Sequence, residues 1–288
     1  MRLDALLSRY GYCSRREAPG WIKRHSITFK GKPCSSPTDK VQAEGILLDG
    51  EPVEFPDGLY AALYKPEGYT CSHDDGEGDL IYDLLPFQWR NRNPAVSSVG
   101  RLDKETSGLL LLTDDGKFIH RMTSPRHHVA KVYEAVTEED IPTEAVELFA
   151  SGTLTLNGET RPCAPALLEI REPRRALLTL TEGKYHQVRR MLAAVGAPVL
   201  SLCRVSIGSL HLDSLNLKPG EWAPIRPERQ TCSPCGFPFP KHQLPVFRTL
   251  RWRRNPGTGL WLTRERPSSS TRPTGKRNPA SWKAWKPC

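Results

Sequence analysis

The sequence predicts an α+β protein built on a mixed, mostly antiparallel sheet. Three observations predict it. Residues 59–64, 109–113, 129–136 and 176–180 form apolar or period-two runs that read as strands. Few of these runs are separated by a full crossover helix, which argues against a doubly wound parallel sheet. Helical periodicity is confined to short stretches, such as Val188, Met191, Leu192 and Val195, closed by Gly196 as a C-cap.

Taken in order, residues 1–55 read as a small α/β module. Leu3, Leu6, Leu7 and Tyr10 share one helical face. Ser14 with Glu17 forms a capping box that starts a second helix. Pro19-Gly20 falls inside that helix, where an interior proline costs ~3 kcal/mol, so a kink or a weakened module is expected. Ser26 to Phe29 before Gly31, and Ile46 to Leu48 before Asp49-Gly50, each read as a strand and a turn. Arg2, Arg9, Arg15, Arg16, Lys23 and Arg24 are left for the surface. Nearly all surface charge there has one sign, and residues 1–40 hold nine basic and three acidic side chains. Such a local basic face suits phosphate and RNA.

The larger part, residues 59–225, begins with a strand ending at Lys65-Pro66-Glu67-Gly68. A polar turn, Gly100-Arg101-Leu102-Asp103-Lys104-Glu105-Thr106-Ser107-Gly108, then feeds the apolar run Leu109 to Leu112. It sets a carboxylate two residues after an arginine, on a turn anchored to a core strand. Turn chemistry alone explains such residues equally well. Residues 226–288 are different material, with ten of the 26 prolines, four tryptophans and no sustained periodicity. They carry 14 Lys+Arg and 2 Asp+Glu, a net +12, whereas residues 1–225 carry 27 and 30, a net −3. A disordered basic tail is expected, and the compositional break points to a reading frame altered near 226.

Composition excludes several classes. No run of about eighteen apolar residues and no secretory segment follows Met1, so a cytoplasmic protein without a membrane partner is expected. Eight cysteines scattered over 288 residues fit reduced thiols better than a disulfide framework. There is no P-loop and no G-x-G-x-x-G. Thr106-Ser107-Gly108 is not a nucleophile elbow, because Glu105 stands where glycine is needed. His127-His128 lacks further ligands at metal spacing, and the loop from His73 to Asp79 lacks the alternating oxygens of an EF-hand and reads as mobile. Cys232 and Cys235 form one C-x-x-C without a second pair, so no metal is expected.

The Arg101-x-Asp103 turn is joined by Lys131-Val132-Tyr133, by Thr123-Ser124-Pro125-Arg126-His127-His128, and by Glu182-Gly183-Lys184-Tyr185-His186-Gln187-Val188-Arg189-Arg190. In this order and spacing, over residues 1–225, the set resembles the RsuA family of pseudouridine synthases. The family's catalytic fold is an α+β core on a mixed, mostly antiparallel sheet, and residues 1–55 are similar to the S4 RNA-binding domain that precedes it. The resemblance implies isomerisation of a specific uridine in small-subunit (16S) ribosomal RNA, free or in an assembly intermediate, by a cofactor-free monomer. A large-subunit (23S) paralogue, or a non-catalytic ribosome-assembly factor keeping the fold, are the alternatives. It also implies roles: Asp103 as the catalytic carboxylate, Arg189 as its basic partner, and Tyr133 against the uracil ring. Arg101 would hold the RNA open around a flipped base. Arg2, Arg15, Arg16, Arg24, Lys65, Arg126, His127, His128, Lys184, His186, Gln187 and Arg190 are expected to contact RNA.

Overall fold

The computed structural model describes residues 1–124, 127–228, 246–249, 252–255 and 259–262. Helices α1 (Leu3–Arg9) and α2 (Ala18–Ile22) cover a four-stranded antiparallel sheet. Its strands are β1 (Ile27–Phe29), β2 (Lys32–Pro33), β3 (Ile46–Leu48) and β4 (Glu51–Pro52), in the order β2-β1-β3-β4. Leu3, Leu6, Leu7, Ala18, Ile22, Ile27, Ile46 and Leu48 form one core cluster, which is why the apolar face of α1 repeats at helical spacing. The Ser14–Glu17 capping box is present: Ser14 N and Oγ donate to Glu17 Oε2 at 3.0 and 2.7 Å, and Glu17 N donates back to Ser14 Oγ at 3.3 Å. The expected proline defect is absent. Helix α2 begins only at Ala18, so Pro19 stands in its first turn, where its missing N–H has no intrahelical acceptor to lose.

The second sheet has ten strands. They are β5 (Tyr60–Lys65), β6 (Ser97–Ser98), β7 (Ser107–Thr113), β8 (Lys131–Thr137), β9 (Leu167–Glu172), β10 (Arg175–Leu180), β11 (Val199–Ile207), β12 (Leu210–His211), β13 (Trp222–Glu228) and β14 (Val246–Thr249). The order is β14-β13-β5-β7-β11-β8-β10-β9, with β6 on β7 and β12 on β11. Only β7 and β11 pair in parallel among the described strands; the other pairings are antiparallel. Helices α3 (Phe87–Arg90), α4 (Gly116–Thr123), α5 (Glu144–Ser151) and α6 (Gln187–Ala194) complete this part. The last strand of the core runs to Glu228, beyond residue 225 where the tail was expected to begin. Most of 226–288, with Cys232 and Cys235, lies outside the described residues. A second compact unit, Leu250–Cys288, contains an antiparallel hairpin of β15 (Trp252–Asn255) and β16 (Gly259–Leu262).

Strand alternation divides the core. Ala62, Tyr64, Leu109 and Leu111 pack with Phe118 and Met122 of α4. Leu59, Ala61, Leu63, Leu110 and Leu112 turn the other way, onto Ile81 and Trp89. Further along, Ala135, Leu178 and Leu202 pack with Phe149 of α5 and with Met191 and Leu192 of α6. Tyr133 touches both of these last two clusters and so marks the seam between them.

The N-terminal part is fastened to the large sheet. Tyr10 Oη donates to Pro56 O at 2.9 Å, Gln88 Nε2 to Tyr10 O at 3.2 Å, and Asn93 N to Arg9 O at 3.1 Å. Gly11, at φ +80°, faces the backbone of α3, and a Cβ there would stand 1.9 Å from Gln88 O. The connecting segment is clamped by the buried pair Arg92–Asp114 at 2.9 Å. Asp114 also accepts from Leu59 N, and Arg92 donates to the carbonyls of Glu54 and Phe55.

Candidate active site

The turn carrying Asp103 is held by its backbone. Thr106 N closes it on Asp103 O at 3.0 Å. Beneath it, Lys65 ends β5 with a wholly buried side chain, and its Nζ donates to Pro66 O, Lys104 O and Thr106 O at 3.0, 3.2 and 2.8 Å. From the other side, Arg189 on α6 donates Nη2 to Glu105 O at 2.9 Å and Nη1 to Val199 O at 3.2 Å. Two cations therefore grip three consecutive carbonyls, and the Asp103 carboxylate itself is left at the surface of the cleft. Its side chain is 31% exposed, and His186 Nε2 lies 3.4 Å from Oδ1, a contact that becomes an ion pair when the imidazole is protonated.

A single row crosses the sheet below this turn. Lys65 on β5 is opposite Gly108 on β7, Gly108 is beside Arg204 on β11, and Arg204 is opposite Tyr133 on β8. Gly108 is required there: at φ +113°, a Cβ would lie 2.4 Å from Arg204 N and O. Arg204 is 2% exposed. It donates Nε to Leu109 O at 2.8 Å and holds Nη1 3.5 Å from Tyr133 Oη, while Nη2 is buried without a partner. Lys131, two residues before Tyr133 on the same strand, donates to Val129 O at 3.1 Å. Burial, and after it the charge of Arg204, brings the Lys131 ammonium down to about 8. None of Lys65, Lys131, Arg189 and Arg204 has a carboxylate partner among the described residues. The Asp103 turn and the Tyr133 row thus carry four cations without carboxylate partners, an arrangement that suits an anionic polymer.

The structure redistributes the predicted site residues. Arg189 reaches the Asp103 turn, and Tyr133 lies on the strand row that starts at Lys65, but Arg189 binds the turn's backbone instead of the Asp103 carboxylate. Lys65 is buried and its three protons are taken by carbonyls, so it does not reach RNA. Gln187 is likewise buried, linking Lys184 N (2.8 Å) to Glu182 Oε1 (2.6 Å). Lys184 donates to Arg161 O and Pro162 O at 2.7 and 3.1 Å, and Arg190 binds Glu159 Oε1 at 3.1 Å, Tyr185 O at 3.0 Å and Asn157 O. These three side chains shape the turn before α6, and protein acceptors have replaced the phosphates expected of the cations. Arg101 is exposed and makes no ion pair among the described residues, contrary to a structural pairing with a neighbouring acid. Arg16, Arg24, His127 and His128 are exposed, while Arg2 and Arg15 share the buried Asp4 carboxylate at 2.9 and 3.4 Å. Arg126 lies outside the described residues. Among the described residues no group of acidic, histidine or cysteine side chains is arranged to hold a metal, and no helix is long and apolar enough to cross a membrane.

Arg204 and Lys131 were missed by sequence reasoning, and a signal was present: Arg204 is the one charged residue of the strand 199–207, and Lys131 opens the period-two run that carries Tyr133.

Residues 59–194 match the sequence profile of the RNA pseudouridylate synthase family. Two similar proteins are the ribosomal small subunit pseudouridine synthases A of Pasteurella multocida and Escherichia coli. They are 40% and 39% identical over 230 and 232 residues, and each match spans 79% of this chain and 97% of the relative. A solved pseudouridylate synthase structure, 36% identical, superposes with a TM-score of 0.54 over 78% of this chain and 95% of its own.

Proposed function

The chain belongs to the RNA pseudouridylate synthase family, and from that premise we propose that it isomerises one uridine of small-subunit (16S) ribosomal RNA, with Asp103 as the attacking carboxylate. The observation that carries this reading is the Asp103 turn, whose backbone is pinned by Lys65 and Arg189 while its carboxylate stays partly exposed beside His186. In an isomerisation of this kind the N1–C1′ bond breaks, the base turns, C5 bonds to C1′, the C5 proton leaves to solvent, and N1 takes up a proton in its place. The carboxylate must be ionised and fixed to act at the sugar, and the backbone grip fixes it. Tyr133 forms the floor against which the uracil turns, with Arg204 beneath its hydroxyl. A base reaching this depth has left its stack, and the exposed Arg101 is placed to occupy the gap.

Residues 1–55 serve as an S4-like RNA-binding module, whose exposed Arg16 and Arg24 meet phosphate and position the RNA without reading its sequence. The protein works as a monomer in the cytoplasm, on rRNA or on a small-subunit assembly intermediate. Tritium release from small-subunit rRNA labelled at uracil C5 tests the proposal. Wild-type protein is expected to release it, and Asp103→Asn is expected to abolish release while binding the RNA within about threefold. Turnover by Asp103→Asn near the wild-type rate would overturn the assignment. Release only from large-subunit rRNA would overturn the target.

A further inference from the structure

The turn before α6 carries an aromatic ring for which the fold has no structural use. Tyr185 is 72% exposed, and its ring stacks on the His186 imidazole with centroids 3.9 Å apart and planes 15° from parallel. Everything around the ring is fixed. Lys184 is held by two carbonyls and by Gln187, Tyr185 O accepts from Arg190, and Gln187 is itself buried. His186 stands at φ +47° in the left-handed region, which is unfavourable for a residue with a Cβ. It occupies the N-cap of α6 without capping it, because its ring is turned to Asp103 instead. The strain therefore produces one stack in sequence: carboxylate, imidazole, phenol, water.

We propose that the outer face of Tyr185 is a subsite for a nucleobase neighbouring the target uridine on the same RNA strand. The inference rests on the RNA-modifying reading given above and adds a specific contact to it. An exposed aromatic on a turn held by Lys184, Gln187 and Arg190 is what unpaired bases stack on. Such stacking tolerates any base, because each presents a π face.

Two measurements test this. With tritium release from small-subunit rRNA, Tyr185→Ala is expected to raise KM about 5- to 100-fold, the range of one base–aromatic stack. Turnover at saturation should stay within about threefold. Tyr185→Phe should keep the wild-type KM and Tyr185→Leu should not, because a flat ring and not apolar bulk is needed. Separately, a uridine hexamer carrying one 2-aminopurine should be quenched on binding by the wild type and by Tyr185→Phe, and not by Tyr185→Ala. A wild-type KM in Tyr185→Ala, leucine performing as well as phenylalanine, or equal quenching by the alanine variant would overturn the subsite. If the wild type released no tritium the proposed function would fail, and the quenching arm would still decide for or against the stack.

Discussion

Lys65 shows how a single side chain can act on a reactive group it never touches. Its ammonium satisfies three carbonyls, two of them in the turn that carries Asp103, and burial holds it below the usual lysine range. Lys65→Met should leave those acceptors unpaired and cost ~3 kcal/mol, read as a lower urea midpoint, with turnover falling more than KM rises. Lys131 makes a pH prediction. Its folded value of about 8 lies below the 10.5 of an ordinary lysine. The unfolded chain therefore binds more protons between those values, and stability from this group rises with pH across that window. Urea titrations from pH 7.5 to 9.5 should show this rise in the wild type relative to Lys131→Met. A flat difference would show that Lys131 keeps an ordinary value. The roles of these lysines were hidden in the sequence because the groups that define them are remote: Lys104 and Thr106 are some forty positions from Lys65.

At the level of elements, most strands were legible because their neighbours in the sheet bury one face or both, and burial leaves a period in the sequence. Both hairpins of the N-terminal sheet, strands β5, β7, β8 and β10, and helix α6 fall where alternation and turn residues placed them. Pro19 misled because a capping box marks where a chain turns toward a helix, not its first helical residue; three turn residues intervene before α2. The parallel join of β7 to β11 was not legible, since it pairs Ser107 with Cys203 and Gly108 with Arg204, far apart in the chain, and nothing local encodes their meeting. Gly108 is where that join is most vulnerable. Gly108→Ala places a methyl 2.4 Å from the Arg204 backbone at a φ of +113°. It should cost ~4 kcal/mol or more, combining overpacking with backbone strain. Loss of soluble folded protein, or a large drop in melting temperature, would be the readout, and an alanine variant of wild-type stability would contradict the geometry.

For the whole molecule, the cations are divided between structure and surface. Lys65, Lys184, Arg189, Arg190 and Arg204 bind protein acceptors, whereas Arg16, Arg24 and Arg101 remain exposed. Replacing Arg16 and Arg24 with alanine should weaken RNA binding across all sequences and reduce the slope of log K against log salt by about 0.7 per lost phosphate contact. An unchanged slope would remove the N-terminal face from the RNA contact. Gly11 gives these two surfaces a metrical relation. With the N-terminal part locked against Gln88 and the linker clamped by Arg92 and Asp114, the gap between the basic face and Asp103 is set by the protein before any RNA arrives. On the proposed reading the molecule is a caliper with its jaws fixed, and a uridine is expected to be modified only where its offset from an accessible phosphate run fits both jaws. Gly11→Ala would spring the caliper, and the expected signature is modification spreading to neighbouring uridines, not a simple loss of rate.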